Sequence, residues 1–231
     1  MIRIDTTPRL ITSFFAAIVV CLMIIHIVGQ IARALNPGQI DELWLIELFN
    51  VDREQSIPTL YSYTALMYCA LLLGVIASTK RKYAEPYTFH WFFLTVVFIF
   101  LSIDEALEIH EQLITPTMSW TFPYALVTGA FAISYLRFLG HLPSSTRRLF
   151  IISGLIYVGG AVCLEIPSGQ YIHNNGGDEI YLTLVTIEEF LEMSGIVVFI
   201  YSLTTYISLY LSPLSFMPAP VADLKAHQPD M

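Results

Sequence analysis

Charge is what this chain has least of. Charged side chains make up 13% of its 231 residues, against about 25% in a soluble domain. That deficit excludes a fully water-covered surface and leaves lipid as the solvent for much of the chain. Basic residues are scarcer still, 11 Lys and Arg against 19 Asp and Glu. No basic patch able to track a phosphate backbone occurs, so nucleic acid is excluded as a partner. Cysteine is also rare. Cys21, Cys69 and Cys163 have no CxxC spacing and are odd in number, which gives neither a disulfide framework nor a zinc knuckle. Each lies in an apolar run and reads as a small buried thiol. The GxSxG elbow, the P-loop and the Rossmann fingerprint are absent. His110-Glu111 is not the start of a zincin HExxH, because position 114 is Ile114.

What the chain has instead is apolar length. Hydrophobic residues make up 55% of it. They gather in six segments, roughly 10–34, 58–79, 88–113, 121–140, 148–166 and 180–211. A helix needs about 20 residues to cross the hydrocarbon, and each run reaches or approaches that length. The third is apolar only from Phe89 to Ile103. It is expected to continue as helix to Leu113 and stop before Pro116, since a residue preceding proline disfavours the α region. The reading is an all-α, polytopic bundle of six transmembrane helices in one domain, residues 1–212. A Pro-rich tail, 213–231, is expected to be disordered. The run from Leu10 is longer than the apolar core of a signal peptide, about 7–15 residues, so it reads as a retained anchor.

Orientation follows from the basic residues. Arg3, Arg9, Lys80, Arg81, Lys82, Arg137, Arg147, Arg148 and Lys225 fall on one side of the six-span arrangement, and only Arg33 and Arg53 on the other. The basic side is expected to be cytoplasmic, with both termini there, in an inner or plasma membrane. Residues 35–57 then form an outer loop whose apolar Leu43–Phe49 stretch reads as a short amphipathic helix on the surface. Residues 167–179 form a second outer loop with a turn signal at Asn174-Asn175-Gly176-Gly177-Asp178. Trp91, Trp120, Tyr61 and Tyr124 lie near helix ends, as aromatic belts do. Gly129, Gly154, Gly159 and Gly160 read as places of close helix packing.

Against this background the acids stand out, because a carboxylate near a membrane core is costly unless a cation, a proton or water compensates it. Most fall in two clusters. Asp104, Glu105, Glu108 and Glu111 close the third segment, and Glu188, Glu189 and Glu192 open the sixth. The two stretches echo each other, Ile103-Asp-Glu-Ala-Leu-Glu-Ile109 against Ile187-Glu-Glu-Phe-Leu-Glu-Met193. Both copies lie at the outer face, which does not fit a transporter-type inverted repeat. At about 100° per residue, the first four acids occupy an arc of about 120° and the second three a similar face. His110 falls on the opposite side of its helix.

Seven carboxylates at one depth repel one another. Some must be protonated, or a cation must be held among them. Arg33, which shares a face of the first segment with His26 and Gln30, can neutralise only one. Glu165, His26, His110 and His173 are further candidate ligands or partners. Carboxylates with imidazole suit a divalent metal, with Fe, Mn and Zn equally compatible. Spacings such as Glu105-x-x-Glu108 and Glu189-x-x-Glu192 approach the di-iron bundle pattern but lack its Glu-x-x-His. Two functional readings result. One is a metal-dependent membrane enzyme that acts on a lipid-like substrate near the outer leaflet. The other is a cation- or proton-handling transporter, or an accessory membrane subunit with a protein partner. The third and fifth segments are apolar on the inner side of the acids, so a one-sided site is expected rather than a through-path.

Overall fold

A computed structural model of the chain describes residues 7–36, 44–107, 109 and 121–211. The described residues are helical throughout, joined by short turns, with no strand among them. Helix α1 spans Pro8–Leu35, α2 Trp44–Leu48, α3 Ile57–Lys82, α4 Thr88–Leu107 and α5 Thr121–His141. Helix α6, Ser144–Val158, passes through a π turn, Gly159–Leu164, directly into α7, Glu165–Asn175. Helix α8, Glu179–Tyr206, ends in a second π turn, Ile207–Leu211. Among the described residues, four helical stretches are long and apolar enough to cross a membrane: Pro8–Leu35, Ile57–Lys82, Thr88–Leu107 and Ser144–Asn175. Much of their surface is unpartnered hydrocarbon, as with Phe14, Val20, Val28, Leu71, Val96 and Leu155, which is what a lipid-facing surface requires.

The helix ends follow local chemistry. Proline opens α1 and α3, where its missing N–H is not needed. The Ser56 hydroxyl caps α3 by accepting from the Thr59 amide at 3.3 Å. Lys80, Arg81 and Lys82 fill the last turn of α3, where positive charge meets the negative end of the helix dipole.

Helix α8 is central. It packs against α1, α3, α6, the first π turn and α7, while α3 also pairs along its length with α4. Met193, Ile200 and Leu203 are completely buried in its core-facing stripe. With no aqueous hydrophobic drive between helices in lipid, close backbone approach supplies much of the packing. Gly195 gives that approach: a Cβ there would lie 2.8 Å from the Tyr157 backbone nitrogen of α6.

Several sequence expectations change. The fifth segment does not end at 166. The helix runs on to Asn175, so most of the expected outer loop 167–179 is helical, and only the turn at Gly176-Gly177-Asp178 remains. Pro167 did not stop it. Its missing amide and its ring would break a regular ladder, and the π turn immediately before it opens the ladder and takes up the mismatch. Of the glycines read as packing sites, only Gly160 is one; Gly129, Gly154 and Gly159 face open space. Trp91 is not a belt residue. It is 2% exposed and packs edge-on against Phe138 at 5.0 Å and Phe150 at 5.9 Å. Tyr61 is buried too, and its hydroxyl donates to the Phe15 carbonyl at 3.2 Å. Cys69 is buried, whereas Cys21 and Cys163 are exposed; all three are free thiols. The expected extension of the third segment beyond Ile109, and the tail 213–231, lie outside the described residues.

The glycine contacts give a paired test. Gly195→Ala is expected to lower stability by about 1–3 kcal/mol, because the new methyl meets backbone that cannot yield. Gly154→Ala, in open space, is expected to be neutral or stabilising by up to about 1 kcal/mol through helix propensity. Thermal unfolding of the two variants in mild detergent reads the difference.

Candidate carboxyl site

Some acids of the two echoing stretches lie within electrostatic reach of one another. Asp104 and Glu105 stand in the last turn of α4, and Glu188, Glu189 and Glu192 in the first half of α8. Glu192 lies within electrostatic reach of Glu189, Glu105, Glu188 and Glu165. The Tyr157 ring of α6 is within reach of Glu192, Glu105, Glu189 and Asp104. Asp104 and Glu188 are each only 6% exposed.

Helix α7 completes the group. Glu165, its first residue, brings its carboxyl within interaction reach of Glu188. One turn later the Ser168 hydroxyl donates to Glu188 Oε2 at 3.0 Å, inside the protein. The π turn allows this approach. A Cβ on Gly160 would sit 2.7 Å from the Glu188 carbonyl oxygen and 2.9 Å from Glu192 Cγ, so any larger residue would push α8 and its acids away.

The expected basic partners are used elsewhere, in holding the outer loop. His26 is 3% exposed. Its Nδ1 accepts from the Val51 amide at 3.3 Å, and its Nε2 meets the Thr186 hydroxyl at 3.1 Å. An accepting Nδ1 fixes the neutral, Nε2-protonated tautomer. Both ring nitrogens therefore join the loop to α1 and α8. Gln30 Nε2 donates to Asn50 Oδ1 at 3.2 Å. Arg33 pairs with Glu47, which also meets Arg53 at 3.2 Å. The Tyr181 hydroxyl donates to Asp52 Oδ1 at 2.8 Å. The loop following the short helix α2 is thus docked against the bundle by Asn50 and Val51, which are buried. His173 is exposed in the last turn of α7. Glu108, His110 and Glu111 lie outside the described residues. Among the described residues, no three or more His, Cys, Asp or Glu side chains form a group able to hold a metal ion.

Two members of the site, Ser168 and Tyr157, were missed in the sequence, and Gly160 was read as a packing glycine without being placed beside the acids. Ser168 is three residues past Glu165 and shares its face, but only if 167–179 is read as helix. Tyr157 and Gly160 reach the acids through the register of the π turn, which leaves no periodic trace.

The family of the domain of unknown function DUF8692 matches residues 12–206. The chain belongs to that family. No curated protein and no solved structure matches it. The match covers all of the acids discussed here and every helix that carries them.

The turn that sets α7 against α8 is itself held by a carboxylate. Asp178 Oδ1 accepts from the Ile180 and Tyr181 amides at 3.0 and 3.1 Å, and its Oδ2 from the Tyr171 hydroxyl at 2.7 Å. The Tyr171 hydroxyl, then the Tyr181 amide, hold this carboxyl below the ordinary aspartate range. A depressed folded value means that the stabilisation is present above the ordinary aspartate range and lost as pH falls through the depressed one. Amide exchange in the first turn of α8 is therefore expected to accelerate on the acid side in the wild type, after correction for intrinsic rates. In Asp178→Asn, which keeps an acceptor but cannot titrate, that acid-side acceleration is expected to vanish.

Proposed function

We propose that this DUF8692 member is an integral membrane protein whose carboxyl site, in the outer half of a helix bundle, exchanges protons for a divalent cation. The contact between Glu165 and Glu188 carries the reading. Two ionised carboxylates offer only acceptors and repel each other, so their close approach in apolar surroundings calls for a proton or a cation between them. Once the proton leaves, the same oxygens, with Glu192, Glu189 and Glu105 close by, become a hard-ligand set suited to Mn, Fe, Zn, Mg or Ca. Glu108 and Glu111, which follow α4 in the sequence, are the remaining acids proposed as ligands.

The proposed membrane arrangement has six crossings. Helix α5, with 21 residues, and α8, with 28, join the four candidate spans, since each exceeds the roughly 20 residues needed. Both termini are cytoplasmic under the positive-inside rule, and the acids face the exterior or periplasm. Met193, Ile196, Ile200 and Leu203, all buried on α8, close the route inward. The site therefore loads and unloads on one side. This favours ion handling, alone or as an accessory subunit, over a conducting path. An enzyme acting on a lipid-like substrate would need a metal held permanently, and the proton-sharing pair argues for an exchangeable one.

The test uses the full chain in mild detergent. Mn²⁺ and Zn²⁺ titrated by calorimetry are expected to bind more tightly as pH rises and to release protons. Glu188→Gln with Glu192→Gln is expected to weaken binding by at least about tenfold, about 1.4 kcal/mol. Infrared difference spectra should show a protonated-carboxyl band that disappears on cation addition and is missing in Glu188→Gln. Stoichiometric metal retained at every pH would replace exchange with a fixed catalytic centre. No cation binding and no such band would remove the proposal.

A further inference from the structure

The opposite end of the bundle holds a second polar feature that the carboxyl site does not use. Where α3 ends, α4 begins, α5 meets α6 and α8 finishes, a cavity of about 320 Å³ opens. Lys80, Glu85, Trp91, His141, Tyr206 and Tyr210 line it. Lys80 pairs with Glu85, and its side chain is only 12% exposed. Its ammonium also reaches the Tyr206 hydroxyl and lies 5.6 Å from the centre of that ring. An ammonium has three donors, and two of these are engaged by Glu85 and Tyr206, so one is left for an occupant.

The walls are aromatic. Trp91 and Tyr206 rings are 5.2 Å apart, and Tyr206 and Tyr210 rings 5.1 Å apart. His141 stands exposed at the mouth, its ring 4.7 Å from that of Tyr87. The loop that delivers Glu85 is strained. Ala84 and Tyr87, on either side of Glu85-Pro86, both take left-handed backbone, with φ of 51° and 61°. Such conformations persist only where surrounding structure enforces them. Here they hold the carboxylate over the lysine, while Arg81 and Lys82 remain exposed beside it.

We propose that this cavity binds the phosphoethanolamine headgroup of a membrane lipid from the leaflet on the basic side. One compartment presents a cation and an anion, side by side, against aromatic faces. A simple anion would meet Lys80 and His141 but also the repulsion of Glu85. A zwitterion matches both charges: its phosphate takes the free donor of Lys80 and His141, and its ammonium takes Glu85 and the tyrosine rings. The volume suits a headgroup rather than a whole lipid. The basic rim draws phosphate-bearing lipids to this surface. The inference is independent of the carboxyl site at the other end.

The test places the full-length protein in nanodiscs of equal parts phosphatidylethanolamine and phosphatidylglycerol, with retained lipid read by native mass spectrometry. The wild type is expected to retain phosphatidylethanolamine over phosphatidylglycerol by about fivefold. Lys80→Gln is expected to lose retention of both. Glu85→Gln is expected to reverse the preference toward phosphatidylglycerol, because it frees Lys80 and removes the ammonium's partner. Should Lys80→Gln fail to fold, the reversal in Glu85→Gln still decides. Equal retention of the two lipids by the wild type, or an unchanged ratio in Glu85→Gln, overturns the proposal. Displacement of the lipid by soluble phosphoethanolamine at comparable concentration would also overturn it, assigning the cavity to a free metabolite.

Discussion

The acid-bearing end of this molecule depends on how closely the π turn Gly159–Leu164 can approach α8. Gly160 touches the Glu188 carbonyl and the Glu192 side chain, and Gly195 touches the Tyr157 backbone. These two contacts bring two helix backbones within reach of each other without side chains between them. In lipid, where apolar side chains gain little by leaving one hydrocarbon for another, such approach is what makes one packing better than its neighbours. The carboxyls are carried along by it. Glu165, Ser168 and Glu188 meet because the backbones beneath them do.

A buried carboxyl group is tolerated only when something answers its charge. At this end the obvious cations answer something else. Arg33 and Arg53 meet Glu47, and His26 spends both nitrogens on the loop and on Thr186. Ser168 donates to Glu188, and the Tyr157 ring is within reach of the acids. Under the proposed function, protons and metal ions are the exchangeable counter-charges. At the other end, opposite charges are already matched within the chain, by Lys80 and Glu85, inside an aromatic enclosure. One end of the bundle gathers carboxyls, and the other holds an opposite-charge pair.

How much of this was legible in the sequence depended on whether the signal was periodic. The helical class and most helix bounds were legible, because long apolar runs in a charge-poor chain have few other outcomes. That Glu105 and Glu192 lie within electrostatic reach of each other agrees with each stretch keeping its acids on one helical face. Glu165 could be named but not paired. Its contact needs the helix to continue through Pro167, and proline is ordinarily a stop signal. The π turn that permits continuation has no composition of its own. Trp91 was misplaced for a related reason. Its position near a helix start matches an interfacial belt, and only the convergence of Phe138, Phe150 and Tyr206 from three other elements makes it core. His26 and Arg33 were misdirected because a short apolar loop gives no hint that it will fold back and claim them.

The docked outer loop has a mechanical consequence. His26 ties α1 and Val51 to Thr186, and Asp52 ties the same loop to Tyr181. Helices α1 and α8 are thereby clamped at their outer ends, and α6 and α7 are locked to α8 by the glycine contacts. Helices α3 and α4 form the other tightly paired unit. The two blocks meet where α3 packs on α8, and Glu105 and Glu192 stand on different blocks within electrostatic reach of each other. A shift of either block would therefore change the spacing of these two carboxyls.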